Sequence, residues 1–299
     1  MGWHEMTPLK RFEWVGGSIA AVIGVGLLVG PGFVSSAVQA SAQTTAVTAS
    51  TDEGDQSWRY NVSSITSNDT KPITATDTQS FNSGAYSLMT ATLHSGKDVK
   101  IRWNPCQAVV SYRVNLDDLP KAQRAEMLRT VMESFKKLHT ATGIIYRYRG
   151  DTSFVPQKDT VQEQPAEIVV AVVRPESKTD FEMEDNYPGW GGVLWTSWFD
   201  QKTEGAAAVR GQVLLDANQI ADLPEGFGAG ATRGNIVLHE LGHVMGLADS
   251  TDQQQLMYPK LSASTPDGFA DEDTTALGKV GTESSCIDIP DYVKVGNLN

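Results

Sequence analysis

The sequence predicts an α/β (α+β) domain in which a mixed sheet is backed by one long helix and underlain by a second helix that carries a histidine motif. Three observations lead there. Residues 167–173, EIVVAVV, form the continuous apolar run expected of a strand buried on both faces. Ala125, Leu128, Val131, Met132, Phe135 and Leu138 recur at spacings of three and four, the period of a helix with one buried face. The order strand, helix, four strands, helix suits one mixed sheet, and a single domain of about 200 residues is enough to hold it.

Each element has its own justification. Lys10 and Arg11 precede an uncharged apolar run from Val15 to Val34, and Ala40-Ser41-Ala42 supplies the small residues that signal peptidase needs, so residues 1–42 read as a secretory signal cleaved after Ala42. An uncleaved membrane anchor is the rival. Its run approaches the ~20 residues of a bilayer span, but Gly16, Gly17, Gly24, Gly26, Gly30 and Pro31 make a mediocre permanent helix. Residues 43–96 are rich in Ser, Thr, Asp and Asn without a sustained period, and read as a linker or propeptide. Asn61 and Asn68 sit in glycosylation sequons that carry meaning only in an organism that glycosylates exported proteins.

Order is expected from Lys97, with residues 97–299 as the domain. The stretch VKIRWNPCQAVVSYRVNL (99–116) suits a first strand through Val109, Val110, Tyr112 and Val114. Pro120 opens the long helix and Gly143 closes it. IIYRYR (144–149) reads as a second strand and EIVVAVV as a central one. GGVLWTSWF (191–199) and VRGQVLLD (209–216) read as an antiparallel pair. The Gly-rich GFGAGATRGN (226–235) leads into the motif helix, and a short helix near 271–279 precedes the second cysteine.

Charge and cysteine usage narrow the function. A formal net charge of −12 disfavours nucleic acid and anionic membrane surfaces as partners. Only Cys106 and Cys286 are present, and in an exported chain such a pair bonds, here tying the first strand to the C-terminal tail. The stabilisation is about 2 to 4 kcal/mol. A cysteine latched on a metal is the rival reading, and it leaves the other thiol unpaired.

Residues 239–250 read HELGHVMGLADS. Helical residues four apart share a face, so His239 and His243 can point at one metal, at about 2.0–2.1 Å for zinc to nitrogen. Glu240 adjoins the first histidine and is placed to act as general base on a zinc-bound water. Gly246, three residues on, permits the positive φ that turns a chain back, which lets position 249 approach the same metal. Asp249 is then the third ligand, with Asp252 and His139 as rivals for that role. LMYP (256–259) is a turn that could run beneath the histidines with Met257 uppermost.

HELGHVMGLAD followed by LMYP resembles the metzincin zinc peptidases, and LMYP is especially similar to the methionine turn of the matrixin branch. RWNPC, GQVLLD and TRGNIVLHELGHVMGL resemble secreted bacterial matrixin-like peptidases, over about Val99 to Gly281. The resemblance implies a metzincin-like fold: a twisted sheet above a cleft, and a small irregular C-terminal subdomain after Gly246. It implies one catalytic zinc held by His239, His243 and Asp249, the aspartate standing where the family usually has histidine. It implies Glu240 as base, Gly246 as turning point, Met257 as turn methionine, and Tyr258 and Pro259 as wall of the pocket for the residue after the scissile bond. Gly192, Val193, Leu194 and Trp195 would form the upper rim that takes an extended peptide as an added strand, with Trp190 and Trp198 shaping its ends or simply packing. The histidines of the second, structural zinc of animal relatives are missing; calcium stays open because Asp and Glu are plentiful, although no ordered acidic loop commits to it.

The expected activity is that of a secreted, extracellular, monomeric zinc endopeptidase acting on protein or peptide. Two other classes compete: a secreted binding protein on an inactive peptidase scaffold, and a surface protein anchored by its N-terminal segment with a Ser/Thr-rich stalk.

Overall fold

The computed structural model describes residues 80–82, 86–157, 163–174, 179, 188–199 and 203–290. The expected signal segment, both sequons and the linker as far as residue 79 lie outside the described residues. In chain order the elements are β1 (Ser80–Asn82), β2 (Ser87–Thr92), β3 (Asp98–Lys100), β4 (Val110–Asn115), α1 (Lys121–Thr142), β5 (Tyr146–Asp151), β6 (Ile168–Val173), β7 (Gly189–Phe199), β8 (Glu204–Asp216), α2 (Ala217–Ala221), α3 (Arg233–Val244) and α4 (Asp271–Val280).

The main sheet has the order β5-β4-β6-β8-β7. Four strands are mutually parallel, and β7 runs antiparallel along β8 at one edge. The mixed α/β fold expected from the sequence is thus present. β6 explains its own sequence: Ile168, Val170 and Val172 enter the core shared with α1 and α3, while Val169, Ala171 and Val173 pack on the other face with Trp190, Phe154 and Val155. Burial on both faces removes any need for a polar alternation.

Helix α1 lays Met127, Val131, Phe135 and Leu138 on the sheet, with Phe135 stacked on Tyr112 at 3.7 Å between ring centroids. It ends at Gly143, whose φ of 71° is left-handed and whose N–H donates to the His139 carbonyl. Helix α4 places Asp271, Glu272 and Asp273 in its first turn, where the positive end of the helix dipole favours acidic residues. Cys106 and Cys286 are bonded across 180 positions, in agreement with the pairing expected of two cysteines in an exported chain. Around that bridge Arg102 donates to the Ser285 carbonyl and Asn104 holds both the N–H and the carbonyl of Ile287.

Two boundaries differ from the sequence reading. The stretch 99–116 is not one strand: β3 ends at Lys100, the chain passes the buried Trp103 and then Pro105, and β4 starts only at Val110. Order also starts before Lys97. Strands β1, β2 and β3 form a second antiparallel sheet, and Leu88, Met89, Ala91 and Leu93 belong to the main core. Their neighbours are Ser, Thr and Ala, small enough to be buried between partners yet polar enough in composition to read as linker.

Candidate metal centre

Helix α3 is buried along its whole length and starts at Thr232, whose side chain accepts from the Asn235 N–H. The i, i+4 spacing puts Asn235, His239 and His243 on one face. His239 Nδ1 lies 2.8 Å from the Leu256 carbonyl, and His243 Nδ1 lies 2.9 Å from the Leu247 carbonyl. A carbonyl can only accept, so each Nδ1 carries the proton and each Nε2 presents a lone pair. The two Nε2 atoms are 3.2 Å apart, and Asp249 Oδ1 lies 3.7 Å from the first and 3.5 Å from the second.

Without a cation this triangle is unfavourable. Burial holds the His239 imidazole below its usual range, and burial together with the neighbouring His239 pushes His243 down to about 3, so both rings are neutral. Neither Asp249 oxygen has a hydrogen-bond partner, and burial pushes that carboxyl well above the ordinary carboxylate range. Two lone pairs and a partnerless carboxylate therefore converge on one point. For a tetrahedral ion with ligands at about 2.0–2.1 Å, adjacent ligand atoms stand about 3.3 Å apart. The three edges of 3.2, 3.5 and 3.7 Å lie close to that spacing. The donor set fits zinc and fits calcium poorly, since calcium takes six to eight oxygens.

Glu240 lies beside this triangle on the sheet side. Its carboxylate accepts from the Gly191 N–H, while Oε2 has no partner. Burial first, and then the charge of Asp249, raise its pKa well above the carboxylate range. The start of β7 makes room for it. A Cβ at Gly189 would stand 2.7 Å from Glu240 Oε1, and one at Gly191 would stand 2.3 Å from the Glu240 carbonyl oxygen. These two glycines escape the sequence reading, because nothing local shows that β7 grazes α3.

The chain reverses after α3 at Gly246, whose φ of 97° is left-handed and where a Cβ would sit 2.2 Å from the Ile101 carbonyl oxygen. Glycine is required there twice over. Met257 is buried against α3, since a Cβ on Gly242 would meet its Sδ at 2.3 Å. The turn that carries it is tied to the site by Ser250 N–H to the Met257 carbonyl and by Leu256 N–H to Asp273 Oδ2, both 2.7 Å. Tyr258 and Pro259 follow it, partly exposed. Asp252 caps its own turn by accepting from the Gln254 N–H, and His139 bonds the Ile144 carbonyl at the end of α1. Neither joins the cluster that His239, His243 and Asp249 make.

Of the anticipated rim, Val193, Leu194 and Trp195 are buried, as are Trp190 and Trp198, and Gly192 lies among them. Their side chains pack within the domain, on the strand that ends the sheet order. Asn235 is a further residue that sequence reasoning misses. Its amide donates to the carbonyls of Gly228, Gly230 and Pro266 and accepts from the Gly268 N–H, stapling two loops to α3. A polar residue on the same face one turn before His239 is the available signal.

The matrixin family model, peptidase M10, matches residues 102–280, a span that holds the main sheet, α3 and the methionine turn. The chain belongs to the matrixin family of zinc metallopeptidases, hydrolases whose substrates are proteins or peptides. No curated protein matches it. Zinc is the metal that matrixins typically bind, and among the described residues the His239, His243 and Asp249 group offers a place for it.

Proposed function

We propose that the protein is a secreted endopeptidase that holds one zinc ion through His239 Nε2, His243 Nε2 and Asp249, with Glu240 as the catalytic acid and base. The observation that carries this reading is the triangle of neutral imidazole lone pairs and partnerless carboxylate, with the Glu240 carboxylate at its side. Bound zinc supplies Lewis acidity to a peptide carbonyl and lowers the pKa of water toward about 7.

The rest is the work of this chain's own groups. The Leu256 and Leu247 carbonyls fix both imidazole tautomers and ring orientations. The Glu240 carboxylate, oriented by the Gly191 N–H, takes a proton from the attacking water and passes it to the amine that leaves. The edge of β7 takes the substrate as one more strand, through backbone groups at Gly192 to Trp195, and Tyr258 and Pro259 wall the pocket beyond the scissile bond. Removal of residues 1–42 releases the protein, and the disulfide suits an oxidising compartment.

Hydrolysis of casein by the zinc-loaded protein and its Glu240→Ala variant tests the assignment. The variant should keep one zinc per chain and lose at least about 100-fold in rate, the scale of a general acid–base contribution. A wild-type protein that carries zinc and leaves casein and unstructured peptides intact would favour the binding-protein reading instead.

A further inference from the structure

The turning glycine and the two residues between it and Asp249 have little regular structure of their own, and residues far upstream complete their backbone hydrogen bonding. Met89 N–H donates to the Gly246 carbonyl at 2.8 Å, and Ala248 N–H donates to the Ser87 carbonyl at 3.0 Å. Leu88 and Leu247 thereby form an antiparallel bridge. Between those two hydrogen bonds lies the Leu247 carbonyl that fixes His243.

Strand β2 is itself held from both sides. The Met89 carbonyl accepts from Ile101 N–H, and the Ile101 carbonyl lies where a side chain on Gly246 would be. At the turn after β2, Ser95 N–H donates to Glu204 Oε2 at 3.0 Å and His94 stacks on Phe199 at 4.1 Å between centroids, so the hairpin is pinned to the tip of β7 and β8. Leu88, Met89 and Ala91 are almost fully buried beneath it.

We infer that Ser87–Met89 is a positioning strand of the metal centre, holding the path from His243 to Asp249. It follows that any proteolytic maturation which yields a metal-binding enzyme cuts before Ser87 and leaves β2 and β3 in place. The inference rests on the ligand assignment proposed above. A boundary at residue 96, natural from composition, would remove the hydrogen bonds to Gly246 and Ala248 together.

The test compares Met89→Pro with Met89→Ala, measuring zinc affinity by competition with a chromogenic chelator and unfolding of the metal-free proteins in urea. Both variants lose the buried side chain, and only proline also loses the N–H to Gly246. Zinc affinity of Met89→Pro should fall at least about tenfold below that of Met89→Ala, the scale seen when support behind a ligand is removed. Equal affinities in the two variants would overturn the inference while leaving the ligand assignment intact; absence of zinc from the wild type would overturn the assignment itself.

Should Met89→Pro fail to fold, amide exchange of the wild type decides. Zinc should slow exchange at Met89 and Ala248 together, and protection confined to Ala248 overturns the inference. A zinc-loaded secreted form with its N-terminus after Lys97 would do the same.

Discussion

Replacing Asp249 by asparagine should stabilise the metal-free protein and weaken its hold on zinc. In the metal-free state both carboxylate oxygens are buried without a donor, and burial raises the pKa well above 3.8. At neutral pH the group either stays ionised and unpaired or takes up a proton, and each tenfold rise in its proton affinity corresponds to about 1.4 kcal/mol. An asparagine carries no charge, and its amide can donate toward the Nε2 lone pairs 3.5 and 3.7 Å from the present oxygen. Relief of a buried unsatisfied group is worth about 1 to 3 kcal/mol, so metal-free Asp249→Asn should be the more stable by that amount. With zinc that advantage is offset or reversed. A hundredfold weaker site forfeits about 2.7 kcal/mol of the stabilisation that the ion confers in excess.

Urea unfolding followed by circular dichroism, in a chelator and in excess zinc, reads both effects. The pH dependence follows from the raised pKa. The carboxyl's contribution is whole below its unfolded value near 3.8 and is lost as pH rises through the higher folded value, so the metal-free gap should be absent near pH 4 and open toward pH 7. A metal-free variant less stable than wild type at pH 7, with an unchanged zinc increment, would refute the reasoning.

Other outcomes are as definite. Gly246→Ala should cost at least about 2 kcal/mol in urea unfolding, from the left-handed φ and from forced movement against the Ile101 carbonyl, and should weaken zinc binding with it. Burial raises the Asp273 carboxyl from 3.8 to about 6 against the hydrogen bonds it accepts from Ala270, Leu256 and Met257. Its contribution is therefore full below 3.8 and lost through pH 6, a change of about 3 kcal/mol. Asp273→Asn should flatten that part of the pH–stability profile. Reducing the Cys106–Cys286 bond should lower stability by about 2 to 4 kcal/mol while zinc content stays at one per chain, because neither cysteine belongs to the ligand group.

What the sequence discloses is local. The helix period of 120–143, the two-faced apolar run of β6 and the histidine spacing of α3 are each written within a few residues. Asp249 can be preferred to Asp252 because Gly246 marks the reversal, and the structure brings Asp249 into the cluster while Asp252 caps its own turn. What stays hidden is long-range. Strand β2 looks like linker because Ser87, Thr90 and Thr92 dominate its composition, and its burial is decided by Gly246–Ala248, about 160 positions away. Gly189 and Gly191 look like any strand glycines until β7 is set against Glu240. Leu194 and Trp195 look like a rim in the sequence, whereas their side chains are buried within the domain.

The most direct measurement is the location of the metal by anomalous diffraction at the zinc edge in crystals of the zinc-loaded protein. One peak within about 2.0–2.2 Å of His239 Nε2, His243 Nε2 and an Asp249 oxygen is expected. A peak that leaves Asp249 unligated, or that lies at Asp252 or His139, would contradict the metal centre assigned to these three residues.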